Sequence, residues 1–354
     1  MDFDAILKKA LKDPIGRDEA LYILKKASTW DRFLELCKVA SKVRDDEVGT
    51  VFKFDGFIGG ITRCSTNPPC RYCARASTDR SFVLDKPLTP EEIEVGAKFI
   101  AERGCKRVVL GGGTLWEGAG PYVIRAVEIV KKVAPRLGIW VNVGPSITRE
   151  DLVKLKEMGV LEVCSSLETV NINAFKQAKP GDSFNARLKL MELIEEVGLG
   201  LASVMMVGLP GTSYEDYVDH ILFLSKFQSI KRGHFPITGF RPIPGTPFES
   251  MPAALPVDVA KVGAIARLIL RKCDISFGGI MNDPRLLPLW IMAGANRAIH
   301  LGAHVHRASR IWHFFTLKLS EVEVQRIGDL ELVDMLPLTT KIVKQLGMTP
   351  DVEL

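Results

Sequence analysis

The 354 residues are 47% apolar and 25% charged, the composition of an ordinary globular protein whose core can be large without a metal to hold it. Its 47 basic and 42 acidic residues leave a net charge of +5 and are mixed along the chain, with no basic run interleaved with aromatics, which excludes a nucleic-acid groove. Early acids in MDFDAILKKALKDPIG, and the glycines and proline that interrupt the uncharged stretch Val197 to Tyr214, argue against a signal peptide and a membrane helix. The chain is therefore expected to be soluble and cytoplasmic, with no membrane partner.

Residues 1–48 read as a helical lead-in, with Leu21, Ile23, Leu24, Phe33, Leu34 and Leu36 among charges and Pro14 as punctuation. From residue 49 the pattern alternates. Short β-rich runs fall near 51–58, 107–111, 138–143, 160–165, 199–207, 234–240, 273–278 and 297–303, with amphipathic segments between most of them. Thr89-Pro90-Glu91-Glu92 is a capping box with proline at the first helical position. Thr148 and Ser213 open similar starts, and Gly104, Gly138, Gly159 and Gly198 stand where helices should end. Eight strands alternating with helices predict an α/β fold, most simply a (βα)8 TIM-type barrel over 49–304. A three-layer open sheet is the other solution to the same pattern. Residues 305–354 form a short C-terminal extension with no predicted place.

Seven cysteines, an odd number with three of them clustered, point to metal binding in a reducing compartment and not to a disulfide framework. Cys64, Cys70 and Cys73 lie in RCSTNPPCRYCARAS, spaced C-x5-C-x2-C, in the loop after the first strand. Structural zinc would need a fourth ligand, and nothing local supplies one. Inert buried thiols fit poorly with Pro68 and Pro69 stiffening the loop and with Arg63, Arg71 and Arg75, which should favour thiolates. An iron–sulfur cluster with three cysteine ligands and one open iron is the third reading. Spacing alone leaves zinc and iron–sulfur both open.

Further features follow the later strands. LGGGTLWEG places Gly111, Gly112, Gly113 and Thr114 after the second strand, and CSSLET places Ser166 and Glu168 after the fourth. Arg187 follows in DSFNARL, then MMVGLPGT with Met206 and Gly208, then FRPIPGTPFES with Arg241. In a barrel all of these converge on one mouth.

Taken in order, these motifs resemble the radical S-adenosylmethionine (SAM) enzymes of the biotin-synthase-like subgroup, over about residues 50–304 and including GTP at 245–247 and MAGAN at 292–296. The usual C-x3-C-x-aromatic-C motif is two residues longer here between the first cysteines, and Tyr72 keeps the aromatic place. The lengthened spacing resembles the maturase associated with [Fe]-hydrogenase (the HmdB type), implicated in building the iron-guanylylpyridinol cofactor.

The resemblance implies a complete barrel in which Cys64, Cys70 and Cys73 ligate a [4Fe-4S] cluster and SAM chelates the fourth iron. It implies reductive cleavage of SAM to a 5′-deoxyadenosyl radical, an external electron donor, and a small-molecule substrate in the barrel. Gly111–Gly113 and Thr114 match the segment at the SAM amino group, Glu168 a carboxylate that contacts SAM with Ser166 just before it, and Arg187 the partner of the SAM carboxylate. Tyr72 and Met206–Gly208 match the border of adenine. The cysteines that hold biotin synthase's second cluster have no counterparts in LGGGT, VNVGPS or ASVMMVG, and ISFGGIMNDP lacks the matching arginine. Cys105, Cys164 and Cys273 then read as buried structural thiols. Strand ends and their loops nominate Asn142, Ser146, Ser203, Thr238, Arg241, Asn282 and His304 for the substrate, with Arg241 suited to an anionic group.

Overall fold

The computed structural model describes residues 1–82, 86–278, 283–308, 310 and 321–353. Parallel strands β1 (Val51–Gly59), β2 (Arg107–Gly111), β3 (Gly138–Asn142), β4 (Val160–Cys164), β5 (Gly200–Ala202), β6 (Met205–Val207), β7 (His234–Gly239), β8 (Asp274–Phe277) and β9 (Arg297–Arg307) form the wall. Strand β9 pairs in parallel with β1, from Lys53 opposite Arg297 to Ile58 opposite Val305, so the sheet closes on itself and the open-sheet alternative falls. Strands β5 and β6 are one stave interrupted at Ser203-Val204, which leaves eight staves among the described residues and a (βα)8 barrel.

Helices lie between the strands where the sequence signals place them. In α4 (Pro90–Glu102), α6 (Arg149–Glu157) and α9 (Tyr214–Leu224), reciprocal capping boxes join Thr89 to Glu92, Thr148 to Asp151 and Ser213 to Asp216. Gly104, Gly159 and Gly198 adopt positive φ at helix ends, as expected. Gly138 does not. It opens β3, because α5 (Gly120–Val133) has already stopped before Pro135, and a Cβ there would meet Leu161 Cδ1 at 2.7 Å. This glycine serves close strand packing.

The first 48 residues form α1 (Phe3–Ala10), α2 (Arg17–Lys26) and α3 (Trp30–Val48), packed on the outside of the barrel. Arg44 reaches Ile291 O at 2.6 Å, and Arg271 bridges Glu47 Oε1 (2.7 Å) and Ala10 O (2.6 Å). After the barrel, the hairpin β10 (Glu323–Ile327) and β11 (Leu330–Asp334) adds antiparallel to β9, and β12 (Thr349–Asp351) adds beside β1. Among the described residues no helix is long and apolar enough to cross a membrane.

Two regions of core result. The larger lies between strands and helices, and a smaller one inside the barrel joins Val109, Trp140, Cys164, Ala202 and Ile299, with Phe57 and Val204 against them. Beneath that inner cluster the base of the lumen is charged. Arg297 donates to Asp55 Oδ2 (2.8 Å) and Glu162 Oε1 (2.7 Å), Trp140 Nε1 bonds Asp55 Oδ2 (3.1 Å), and His234 bonds Glu162. Burial alone would raise the Glu162 carboxyl, but Arg297 and His234 outweigh it and hold it near 2.

His220 of α9 is fully buried beside Phe235, and neither ring nitrogen has a hydrogen-bond partner among the described residues. Burial pushes its pKa down to about 3. The unfolded chain binds a proton near pH 6.5 that the folded chain refuses, so stability falls as pH drops below that value. Between pH 7 and 5 this one group should account for about 2 kcal/mol of the loss. His220→Leu is expected to shrink the difference between urea unfolding free energies at those two pH values by that amount; an unchanged difference would contradict the assignment.

Candidate active site

At the C-terminal ends of the strands, the loop after β1 is zipped to the turn after β2. Gly60 N and Ile61 N donate to Gly111 O (2.7 and 2.9 Å), Gly113 N to Thr62 O (3.1 Å), Thr62 Oγ1 to Gly113 O (2.8 Å), and Ser65 N to Thr114 O (2.7 Å). A Cβ on Gly112 would lie 2.2 Å from Thr62 Oγ1, and one on Gly113 2.3 Å from the Cβ of Cys64. The glycines of GGGT thus admit the cysteine loop itself, a role the sequence reading did not assign. Gly112 N also bonds Asn142 O (2.9 Å), which draws in the end of β3.

Cys64, Cys70 and Cys73 are all half-buried free thiols. Cys73 N donates to Cys70 O (3.0 Å) in a tight turn, and Cys64 Sγ lies 3.2 Å from Thr66 Oγ1. The arginines do not produce the electropositive setting expected of them. Arg63 turns out to Glu117 (3.0 Å), Arg75 is engaged by Thr66 O (3.0 Å), and Arg71 is exposed. Burial pushes the Cys70 thiol up to about 12, opposed chiefly by Lys179, and burial also raises Cys73. With protons on the sulfurs, only a bound metal would make thiolates of them.

Beside this loop stands a buried set of two cations and two anions. Lys179 Nζ bonds Glu168 Oε2 (2.6 Å), Asp182 Oδ2 (3.2 Å) and Ser166 O (3.3 Å). Arg187 grips Asp182 through Nε (3.1 and 3.0 Å) and Nη2 (2.6 Å), and Nη2 also donates to Thr114 Oγ1 (3.3 Å). Glu168 and Asp182 outweigh burial and keep the Arg187 guanidinium charged. Glu168 holds a left-handed φ of 63°, fixed by its N–H to Val204 O (3.0 Å) and its carbonyl to Met206 N (2.9 Å). A non-glycine residue held there stores strain of order 1–3 kcal/mol, and the flanking bonds impose it.

An apolar wall completes the mouth: Met206, Leu209, Phe240 and Phe248 pack together with Ala178, and Tyr72 lies against them. Gly208 instead borders a groove of about 350 Å³ with Tyr214, Tyr217 and Asp258, and its N–H donates to Tyr217 Oη (2.7 Å). The Ser166 hydroxyl is 3.1 Å from Cys164 Sγ. Half-buried Arg241 follows β7, and fully buried His304 stacks on His306 (5.3 Å between centroids), whose Nε2 is 3.2 Å from Glu331 Oε1. Asn282 lies outside the described residues. Cys37, Cys105, Cys164 and Cys273 are buried apart from the loop.

Lys179 and Asp182 were not singled out from sequence. Their signal is AKPGDSF, an acid three residues after a base across a Pro-Gly turn, just ahead of the helix that carries Arg187.

Three thiols on one cradled loop, with a buried guanidinium and a strained carboxylate beside them, are the donor set for an iron–sulfur cluster that keeps one iron open to an amino-acid ligand. Among the described residues no three Cys, His, Asp or Glu side chains form a ready single-ion site. Cys64→Ala, Cys70→Ala or Cys73→Ala should each abolish the brown colour and the iron of anaerobically reconstituted protein, whereas Cys164→Ala and Cys273→Ala should retain both. Equal loss from either group would contradict the ligand assignment.

Comparison with known proteins agrees with this geometry. The Radical SAM superfamily profile matches residues 58–224. The uncharacterized protein MJ0785 of Methanocaldococcus jannaschii is 31% identical over 341 residues, covering 96% of this chain and 85% of that one. The biotin synthase of Hydrogenobaculum sp. is 29% identical over 316 residues (87% and 92% covered), and the [FeFe] hydrogenase maturase subunit HydE of Thermotoga maritima 29% over 268 (74% and 73%). The crystal structure of methylornithine synthase (PylB) superposes with a TM-score of 0.79 at 20% identity, covering 98% of this chain and 97% of that one, which supports the fold. This chain is a member of the radical SAM superfamily, an enzyme of the biotin-synthase-like type that uses a [4Fe-4S] cluster and SAM.

Proposed function

We propose that this enzyme acts in the biosynthesis of the iron-guanylylpyridinol cofactor of [Fe]-hydrogenase, on a small molecule held in the barrel lumen. The observation that carries this reading is the C-x5-C-x2-C spacing, whose long first interval resembles that maturase type. The lumen speaks in the same direction: Val109, Trp140 and Ala202 fill its wall and Arg297 with its carboxylates fills its base, so sulfur insertion from a second cluster has no ligands to support it.

When bound, the reduced cluster and SAM supply the 5′-deoxyadenosyl radical for hydrogen abstraction. The chain's own residues do the rest. Cys64, Cys70 and Cys73 hold three corners of the cluster. Arg187, with Asp182 behind it and Thr114 at its side, binds the methionyl carboxylate, and Glu168 contacts the rest of SAM with its carboxylate fixed by Lys179. Tyr72 and Met206 border the adenine with an apolar surface that excludes water. The sealed base and apolar lumen offer the reactive centre no route to solvent from below.

Arg241 is the anchor for an anionic group on the substrate, and burial already lowers its pKa. Arg241→Ala is expected to reduce substrate turnover at least tenfold while uncoupled cleavage of SAM under dithionite continues at the wild-type rate; equal loss of both would remove Arg241 from this role. The proposed pathway is tested by deleting the gene in a host that makes [Fe]-hydrogenase. The expected result is loss of that hydrogenase activity in extracts, restored by adding purified cofactor. Unchanged hydrogenase activity would overturn the proposal in favour of another small-molecule rearrangement or fragmentation.

A further inference from the structure

The segment Ala178–Asp182 is fastened to the cysteine loop independently of its own side chains. Arg71 N donates to Ala178 O (2.8 Å), and a Cβ on Gly181 would lie 2.2 Å from Pro68 O and 2.7 Å from backbone atoms of Asn67. Lys179, at the end of helix α7 (Ile172–Ala178), is therefore held between that loop and the SAM-side residues, and it is only 2% exposed. Its three ammonium protons have three acceptors, Glu168, Asp182 and Ser166 O, and the ammonium lies 5.1 Å from the centre of the Phe175 ring. The same ammonium is the leading cation felt by Cys70, and Cys73 also feels it, while Arg63 is drawn away to Glu117.

We propose that Lys179 is a positioning residue with two effects: it fixes the Glu168 carboxylate for SAM, and its buried charge beside Cys70 raises the reduction potential of the cluster. Reduction adds one electron to the cluster. A fixed cation in a low-dielectric setting stabilises the more negative, reduced state more than the oxidised one, so removing the cation makes reduction harder. Water and salt cannot screen a charge this deeply buried, which is why one lysine can matter here more than several surface arginines. The carboxylate effect is separate. Without the ammonium, Glu168 loses its 2.6 Å partner and its side chain is free to leave the strained position.

This inference rests on the cluster and SAM assignment and is independent of the hydrogenase pathway. It is tested with reconstituted wild-type, Lys179→Met, Lys179→Gln and Lys179→Arg proteins. Iron and sulfide content are measured first, then the midpoint potential of the cluster by redox-titrated EPR without SAM, then SAM affinity by equilibrium dialysis of the oxidised protein. The Met and Gln variants are expected to carry a full cluster at a more negative potential and to bind SAM at least tenfold more weakly. Arg should restore the potential and leave SAM binding impaired, because a planar guanidinium cannot reproduce the three ammonium contacts. If Met does not fold, Gln, which keeps a donor for Glu168, carries the same expectation for the potential. A neutral variant with a full cluster at the wild-type potential overturns the electrostatic half, and wild-type SAM affinity overturns the positioning half. A wild-type protein that takes up no cluster would instead refute the cofactor assignment.

Discussion

Arg297 is the constraint on which the barrel is built. Its guanidinium enters the base of the lumen from the last stave and is matched by Asp55 on the first and Glu162 on the fourth, so closure of the sheet and neutralisation of a buried charge are one event. Such an arrangement adds little net stability over an apolar filling, because desolvation of the ions offsets most of their attraction, but an unmatched partner costs several kcal/mol. Only the register that brings β9 beside β1 satisfies all three groups. Trp140 and His234 take the remaining positions on the two carboxylates, and together they seal one end of the lumen.

The other end repeats the rule with different consequences. Glu168, Lys179, Asp182 and Arg187 form a balanced, buried set, yet they sit on loops and on a helix's first turn instead of within strands. Their geometry is imposed by backbone: the bridge at Glu168, the N-terminal turn of the helix holding Arg187, and the contact of the 178–182 segment with the cysteine loop. A charge set built this way can accept a zwitterionic ligand by exchanging partners, which a plug inside strands cannot. The glycines of GGGT join the two halves, since only their missing side chains let the cysteine loop lie against Thr114 and hence against Arg187.

Much of this was legible in the sequence. All eight strand runs were visible as short β-rich blocks, and the helix starts at Thr89, Thr148 and Ser213 were readable because capping is local chemistry. Cys64, Glu168 and Arg187 were found because motif order maps onto strand order. What escaped was set by tertiary contact. Gly138 carries the same local signal as a helix-ending glycine and differs only in its neighbour Leu161. Asp55, Glu162 and Arg297 look like polar interruptions of strands until closure brings them together. Lys179 and Asp182 look like surface charges on a turn, and the loop arginines look like thiolate stabilisers until Glu117 and Thr66 take two of them.

The central claim is that three cysteines leave one iron open and that the adjacent charge set delivers SAM to it. The most direct measurement is EPR of the anaerobically reconstituted, dithionite-reduced protein before and after adding SAM, with methionine and 5′-deoxyadenosine quantified from the same sample. The account predicts a [4Fe-4S]⁺ signal whose shape changes on SAM addition and formation of both products in equal amounts. A colourless protein retaining one zinc, or a reduced cluster whose signal ignores SAM and yields no 5′-deoxyadenosine, would contradict it.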